Sequence, residues 1–284
     1  RNSAATRVNA QGLVENVQIL SSNLVQNGDF SEEGAEEVSN GSFSQEGVEQ
    51  VTNGDFATDS NWLGVNSDGV TISNGSLNYL NTPYAKQIIQ TNVTTIGKTY
   101  KVTYTISNFV EGNIRLALGG NVAPLRNANG TYTDYVTASV NNHLTFVVLG
   151  SPTTLSIDNV SVREVGQDWD TFGTIDANNT VSFANNELTL RNDGSGSGVK
   201  QNALTIGKTY KVVVNVTDIV GNGFKVDMGN LQNITTTGTK TFYLTATTAS
   251  LLLYRNSTSP QAVNGATITN ISVKEVGQNW DLQT

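Results

Sequence analysis

The heptapeptide Ile96-Gly97-Lys98-Thr99-Tyr100-Lys101-Val102 recurs residue for residue as Ile206-Gly207-Lys208-Thr209-Tyr210-Lys211-Val212, 110 positions further on. A second block, Val162-Arg163-Glu164-Val165-Gly166-Gln167-Asp168-Trp169-Asp170, recurs as Val273-Lys274-Glu275-Val276-Gly277-Gln278-Asn279-Trp280-Asp281, offset by 111. Two separate blocks that keep one spacing mean a duplicated unit of about 110 residues. That is the size of a two-sheet β-sandwich of about 100 residues. The local pattern agrees. Tyr100 to Ile106, Tyr210 to Val216, Thr241 to Thr245 and Thr267 to Val273 alternate apolar and polar side chains, as strands with one buried face do. Ser73-Asn74-Gly75, Asn129-Gly130, Asn141-Asn142, Gly221-Asn222-Gly223 and Asn264-Gly265 supply turns, since Asn and Gly tolerate positive φ. No run of ten or more residues has helical periodicity. The expected fold class is all-β, with two tandem sandwiches.

Composition removes several function classes. The chain has no cysteine, one histidine (His143) and a net charge of −8. It therefore has no thiolate metal site, cysteine nucleophile or multi-histidine metal centre. Excess acid argues against a duplex nucleic-acid partner, which needs Lys and Arg to meet phosphates. No apolar run approaches the ~20 residues of a helical membrane span. The negative charge is uneven: residues 1–50 carry −6 and the remainder −2. The first fifty residues thus read as a separate, solvated segment.

That segment holds a second repeat. Asn27-Gly28-Asp29-Phe30, Asn40-Gly41-Ser42-Phe43 and Asn53-Gly54-Asp55-Phe56 fall at 13-residue intervals, and residues 31–38 match 44–51. Each unit has about three apolar side chains, too few for a core of its own. It must stack on its neighbours, pair with another chain or stay extended. At the other end, Trp280-Asp281-Leu282 restarts the pattern seen at Trp169-Asp170. The chain divides on this reading into 1–49 (hairpin and NGxF repeats, a stalk or attachment), 50–165 (first sandwich) and 166–284 (second sandwich with a tail).

Asn53-Gly54-Asp55-Phe56 followed by Asn61-Trp62, the central Gly97-Lys98-Thr99-Tyr100 and the closing Ile157-Asp158-Asn159-Val160-Ser161-Val162 resemble the jelly-roll carbohydrate-binding modules of families 4 and 9. The likeness spans residues 50–165. It is weaker over 166–280, where Gln167-Asp168-Trp169 replaces the opening motif and Thr267-Ile268-Thr269-Asn270 the closing one. The resemblance implies two tandem jelly rolls. It also implies a sugar site in the first, with Trp62, Tyr79, Tyr84, Tyr132 and Tyr135 as stacking candidates and Gln87 as polar partner. The alternative for these aromatics is that they are core or edge strand formers. Related modules often hold a structural calcium, which wants hard oxygen ligands. Asp55 and Asp158 occupy the matching positions, against the alternative of two surface acids. Residues 1–15 resemble a segment common in structural proteins of tailed bacteriophages. They read as a hairpin, Thr6 to Val8 and Leu13 to Val17 around a turn at Asn9 to Gly12.

No nucleophile motif, phosphate loop or metal triad appears, so no catalytic residue is expected. The first functional reading is a non-catalytic virion protein on the particle surface: a head or tail fibre, or a capsid decoration. It would be a homo-oligomer, as a fibre a trimer entwined through the 13-residue repeat, contacting other virion proteins and a host-surface glycan, with no nucleic acid and no membrane insertion. Two other readings compete. One is a secreted polysaccharide-binding module. The other is an extracellular filament subunit built by strand exchange.

Overall fold

In the computed structural model, residues 6–16, 32–174, 179–192, 196–255 and 264–277 are described below. They contain strands and turns and no helix. The first strands are β1 (Thr6–Val8), β2 (Val14–Asn16), β3 (Glu33–Glu36) and β4 (Glu46–Glu49). The first sandwich continues through β5 (Val70–Ser73), β6 (Ser76–Thr82), β7 (Gln87–Gln90), β8 (Thr99–Glu111), β9 (Ile114–Leu118), β10 (Asn121–Arg126), β11 (Gly130–Thr137), β12 (Leu144–Val148) and β13 (Thr153–Val165). The second uses β14 (Asp170–Phe172), β15 (Thr180–Ala184), β16 (Glu187–Asn192), β17 (Gly198–Asn202), β18 (Thr209–Val220), β19 (Phe224–Asp227), β20 (Leu231–Ile234), β21 (Gly238–Thr245), β22 (Ser250–Arg255) and β23 (Asn264–Val276).

Each sandwich faces two antiparallel sheets across one core, a jelly roll in both cases. In the first, the order β10-β9-β12-β7 faces β11-β8-β13-β6-β5. In the second, β14-β17-β22-β19-β20 faces β15-β16-β23-β18-β21. The alternation in the sequence places Tyr100, Val102, Tyr104 and Ile106 of β8 inward, opposite Leu144, Phe146 and Val148 of β12. Tyr210, Val212, Val214 and Val216 do the same in the second core. Asn74 and Gly75, both at positive φ, close the β5–β6 hairpin as a two-residue turn that its dipeptide favours. The N-terminal hairpin also forms. Thr6↔Asn16 and Val8↔Val14 pair, and Asn9 Oδ1 accepts the backbone N–H groups of Gln11 and Leu13 across the turn.

The 13-residue repeats depart from the expected division of the chain. A boundary at residue 50 cuts through the first sandwich, because β4 pairs with β13 through Arg163↔Glu49 and Val165↔Glu46. β3 does not pair with its neighbours. It pairs with β23, through Lys274↔Glu36 and Val276↔Glu33, in the second sandwich. Each last strand is long enough to take two partners end to end on one side. β6 covers Thr153–Ile157 of β13 and β4 covers Arg163–Val165. β16 covers Asn264–Ile268 of β23 and β3 covers Lys274–Val276. The second sandwich is therefore discontinuous in sequence, and the whole first sandwich is inserted into it. The repeats at 31–43 and 44–56 belong to sandwiches, not to a stalk, and the third copy, 27–30, lies outside the described residues.

The insertion gives the two sandwiches two covalent crossings. Only Ser44 and Gln45 separate Phe43, buried in the second core, from β4 of the first sandwich. Gly166 to Asp168 make the other crossing, from β13 to the buried Trp169. Val165 joins the second core, and Tyr135 of β11 packs against it. Gly166 is held close: a Cβ there would lie 2.3 Å from the Phe183 ring, and its φ of 72° is one that side chains other than glycine rarely adopt.

Candidate functional site: two seats for the NGxF repeat

Both repeats are wedged into their sandwiches by the same contacts. In the second sandwich, Phe43 is 2% exposed and packs on Trp169 and Phe183, with ring centroids 5.7 and 6.1 Å away. In the first, Phe56 is 1% exposed and stands 5.2 Å from Trp62. The indole N–H of Trp169 donates to the Asn40 carbonyl at 3.1 Å, and that of Trp62 to the Asn53 carbonyl at 3.1 Å. Asn40 and Asn53 adopt positive φ, as do Phe43 and Phe56, so the segment turns sharply on both sides of its glycine. The glycine itself has no freedom to change. A Cβ on Gly41 would sit 2.1 Å from the Ile271 carbonyl oxygen, and one on Gly54 2.0 Å from that of Val160. At the same places Ile271 N–H donates to Gly41 O and Val160 N–H to Gly54 O.

Side chains lock the strand ends. Glu36 accepts the Val273 N–H on Oε1 and the Ser272 hydroxyl on Oε2. Glu49 accepts the Val162 N–H and the Ser161 hydroxyl in the same way. A carboxylate that spans a backbone donor and a hydroxyl fixes register more firmly than a single bond does. Gln201 clamps the peptide of Ser39, accepting its N–H and donating to its carbonyl, and Gln90 does the same to Thr52. At the solvent edge Glu33 pairs with Lys211 and Glu46 with Lys101. The hydrogen bond from Lys211 holds the Glu33 carboxyl below its ordinary range, and the bond that Lys101 itself donates to Glu46 raises the Lys101 ammonium. These pairs are exposed, so they select register and contribute little to stability. Chemically, each seat recognises an acidic strand that ends in Asn-Gly-Xaa-Phe.

These contacts also account for the apparent loss of an opening motif in the second unit. Its opening motif is Asn40-Gly41-Ser42-Phe43, displaced upstream of the first sandwich, and Gln167-Asp168-Trp169 is the part that follows such a motif. The carbonyl of Gln167 accepts from Asn40 Nδ2 at 2.9 Å, much as that of Ser60 accepts from Asn53 at 2.9 Å. Glu33, Glu36, Glu46, Glu49, Gln90 and Gln201 were not singled out in the sequence. The signal was present, since the repeated acids match the repeated Lys101 and Lys211.

The sugar-binding candidates do not form one surface. Trp62 (4% exposed) belongs to the seat, and Tyr79 (2% exposed) to the core, so neither offers a ring face to solvent. Burial pushes the Tyr79 phenol well above its usual range. Tyr132 is half-buried against Tyr104 and the Arg126 guanidinium, and its hydroxyl donates to the Ala128 carbonyl. Tyr135 is spent on the junction with the second core. Tyr84, 64% exposed, and Gln87 at the start of β7 remain accessible. Beside Tyr132, Arg126 bonds Asp134 and approaches the Tyr104 hydroxyl. Burial, with the Asp134 charge adding to it, raises the Tyr104 phenol to about 12. This polar cluster joins β8, β10 and β11 at one end of the first sandwich.

Asp55 is exposed and accepts the Ala57 N–H, while Asp158 accepts the Asn159 N–H at 2.6 Å. Both flank the seat, one residue after Gly54 and two before Val160. Among the described residues no group of three carboxylates or histidines is assembled that would hold a metal. His143 lies in the turn before β12, its backbone N–H on Asn141 Oδ1.

No family model matches the chain, and no curated protein matches it. Among solved structures, the N-terminal CBM22-1–CBM22-2 tandem domain from Paenibacillus barcinonensis Xyn10C aligns at 9% identity, covering 82% of this chain and 98% of that one, with a TM-score of 0.30. The major capsid protein P2 of bacteriophage PM2 aligns at 12% identity over 78% of this chain and 98% of its own, with a TM-score of 0.20.

Proposed function

We propose that the chain is a non-catalytic structural protein of a bacteriophage virion, a head or tail fibre or a capsid-surface decoration, that holds carbohydrate-binding-like sandwiches at fixed orientation on the particle surface. One observation carries this reading: the second sandwich receives its opening strand from upstream of the first. A module on a single flexible linker samples many orientations. Two chain crossings of two and three residues, with Val165 and Tyr135 packed between them, instead favour a stiff rod. Stiffness suits display and serves neither catalysis nor a freely tethered binding module.

On this reading the protein is a homo-oligomer, a trimer if a fibre, joined through the segment that contains β1 and β2, and seated on other virion proteins. The entwining first ascribed to the 13-residue repeat loses two of its three units, since those at 31–43 and 44–56 are seated within their own chain. No structural calcium and no nucleic-acid or membrane contact enters the reading. Glycan adhesion falls to the exposed Tyr84 and Gln87.

Light scattering coupled to size-exclusion chromatography tests the proposal on the full chain and on residues 32–284, which keep both repeats intact. A full chain of three times the monomer mass that becomes monomeric without residues 1–31 is the expected result. A monomeric full chain overturns the fibre reading. It favours a secreted polysaccharide-binding module, and a glycan screen with Tyr84→Ala as its control then decides that point.

A further inference from the structure

The first sandwich meets the second through one face, and the second sandwich carries a copy of that face. At the junction a cleft of about 390 Å³ lies between Ile96, Lys98 and Gly166 of the first sandwich and Trp169, Phe183 and Lys200 of the second. Val165 and Tyr135 complete the first sandwich's side. All five residues of that side recur by identity. Ile96, Lys98, Val165 and Gly166 become Ile206, Lys208, Val276 and Gly277. Tyr135, opposite Lys101, becomes Tyr243, opposite Lys211. The backbone recurs as well: φ is 72° at Gly166 and 73° at Gly277, 89° at Gly97 and 88° at Gly207. So does the adjoining ion pair, Lys98 with Glu164 at 3.4 Å and Lys208 with Glu275 at 3.0 Å. What differs is the cover. Val165 is buried and Val276 only half-buried; Tyr135 is half-buried and Tyr243 is 60% exposed. A Cβ on Gly166 would strike the Phe183 ring, whereas one on Gly277 would meet nothing within 4 Å among the described residues.

We infer that this second face docks a second copy of the chain, through the first sandwich of that copy, so that copies join head to tail. The internal junction shows what such a face accepts: the side of a sandwich that carries the seat tryptophan and the strand paired beside it. On the second sandwich that side is already taken by the first. On the first sandwich no described residue takes it. There Trp62 matches Trp169, and Leu63, bridged to Ile89, matches Asp170, paired with Lys200. Two aliphatic side chains thus stand where the internal junction has two charged ones, and Leu63 is 60% exposed. Leu63 on one copy and Tyr243 on the next are exposed apolar groups that both lose water on contact. Because the two faces differ, the contact is heterologous and adds copies one after another instead of closing at two. It uses none of residues 1–31, so it is separable from assembly through β1 and β2. The internal junction has two tethers, which supply an effective concentration on the order of millimolar. The contact between copies has no tether and builds up with protein concentration.

Sedimentation velocity of the full chain, from about 10 µM to about 1 mM, tests the contact. The weight-average mass is expected to rise at least about twofold above that of the dilute species. The dilute species reads the proposed trimer, and the growth above it reads this contact. Tyr243→Glu and Leu63→Glu should each remove the growth and keep both melting transitions, since both side chains are exposed. Tyr243→Phe should keep the growth. Where a glutamate costs a melting transition, serine at the same position replaces it. Mixing decides the geometry. A Tyr243→Glu chain retains the Leu63 face, and a Leu63→Glu chain retains the Tyr243 face. Tyr243→Glu labelled at its N-terminus is expected to sediment faster with excess unlabelled Leu63→Glu, and not with excess unlabelled Tyr243→Glu. A mass independent of concentration overturns the inference. So does labelled Tyr243→Glu that sediments alike with either partner. Growth that Tyr243→Glu removes and Leu63→Glu leaves also overturns it, because like faces would then be pairing.

Discussion

Phe43→Ala is expected to destabilise a sandwich that begins more than 120 residues downstream while sparing the one next to it in sequence. Phe43 is 2% exposed and packs on Trp169 and Phe183. Replacing so buried a phenylalanine by alanine costs about 3–5 kcal/mol, the lost transfer energy plus the cavity. For a domain of this size each kcal/mol lowers Tm by about 4 °C, so the second transition should fall by on the order of 12–20 °C. Phe56→Ala should do the same to the first sandwich, where Phe56 packs on Trp62. Differential scanning calorimetry assigns the transitions, and hydrogen exchange read by mass spectrometry shows which residues lose protection. Under Phe43→Ala, protection should collapse over β16–β23 and hold over β5–β13. Collapse in the first sandwich, or equal loss in both, would refute the reasoning, because it would mean that residues 33–43 are part of the neighbour they adjoin in sequence.

Gly41→Ala and Gly54→Ala should each destabilise one sandwich selectively, since the new methyl meets the carbonyl oxygen of Ile271 or Val160 at 2.1 or 2.0 Å; chemical denaturation followed by the fluorescence of Trp169 or Trp62 reads each loss. The Glu33 carboxyl is held below its unfolded range by Lys211, so its contribution is complete above about pH 4.5 and is lost as pH falls through the lower folded value. The pair is exposed, so its share is small: Glu33→Gln should flatten only a minor, salt-sensitive part of the acid-side decline in the melting temperature of the second sandwich between pH 3 and 5. Tyr104, raised to about 12, and Tyr254, also raised to about 12 by burial and by its bond to Asp227, should be absent from the phenolate absorbance that grows near pH 10. Because the unfolded phenols ionise first, stability should fall above pH 10, and Tyr104→Phe should remove part of that dependence.

The two sandwiches were legible because their evidence is local. Alternation along Tyr100–Ile106 marks a face, Asn74-Gly75 marks a turn, and a 110-residue offset marks a duplication. The wedge was visible as a repeat, but its destination was not. Strand pairing is decided by partners far apart in the chain, and a reader assigns a short strand to its sequence neighbour by default. The clue that overrides that default is a complementarity: Glu33 and Glu46 share a spacing with their glycines, and Lys211 and Lys101 share a place in the duplicated heptapeptide. For Trp62 and Tyr79 the sequence leaves a sugar platform and a core place both open, for a related reason. An aromatic residue on a strand looks the same in sequence whether its ring faces solvent or core, and the two faces differ by a single residue of register.

The separation of Glu36 from Ser272 and Val273, 236 and 237 residues, bears on how the chain is made. At ~5–20 residues per second a ribosome delivers the receiving strand on the order of ten to fifty seconds after the donor has emerged. Throughout that interval residues 33–43 are a strand without a partner, beside a first sandwich that is completing itself. The only vacancy then on offer belongs to residues 46–56, which are joined directly to it and claim it first. Four acids, Glu32, Glu33, Glu36 and Glu37, lie on or beside that strand, and like charges of this kind repel copies of a strand that has not yet paired.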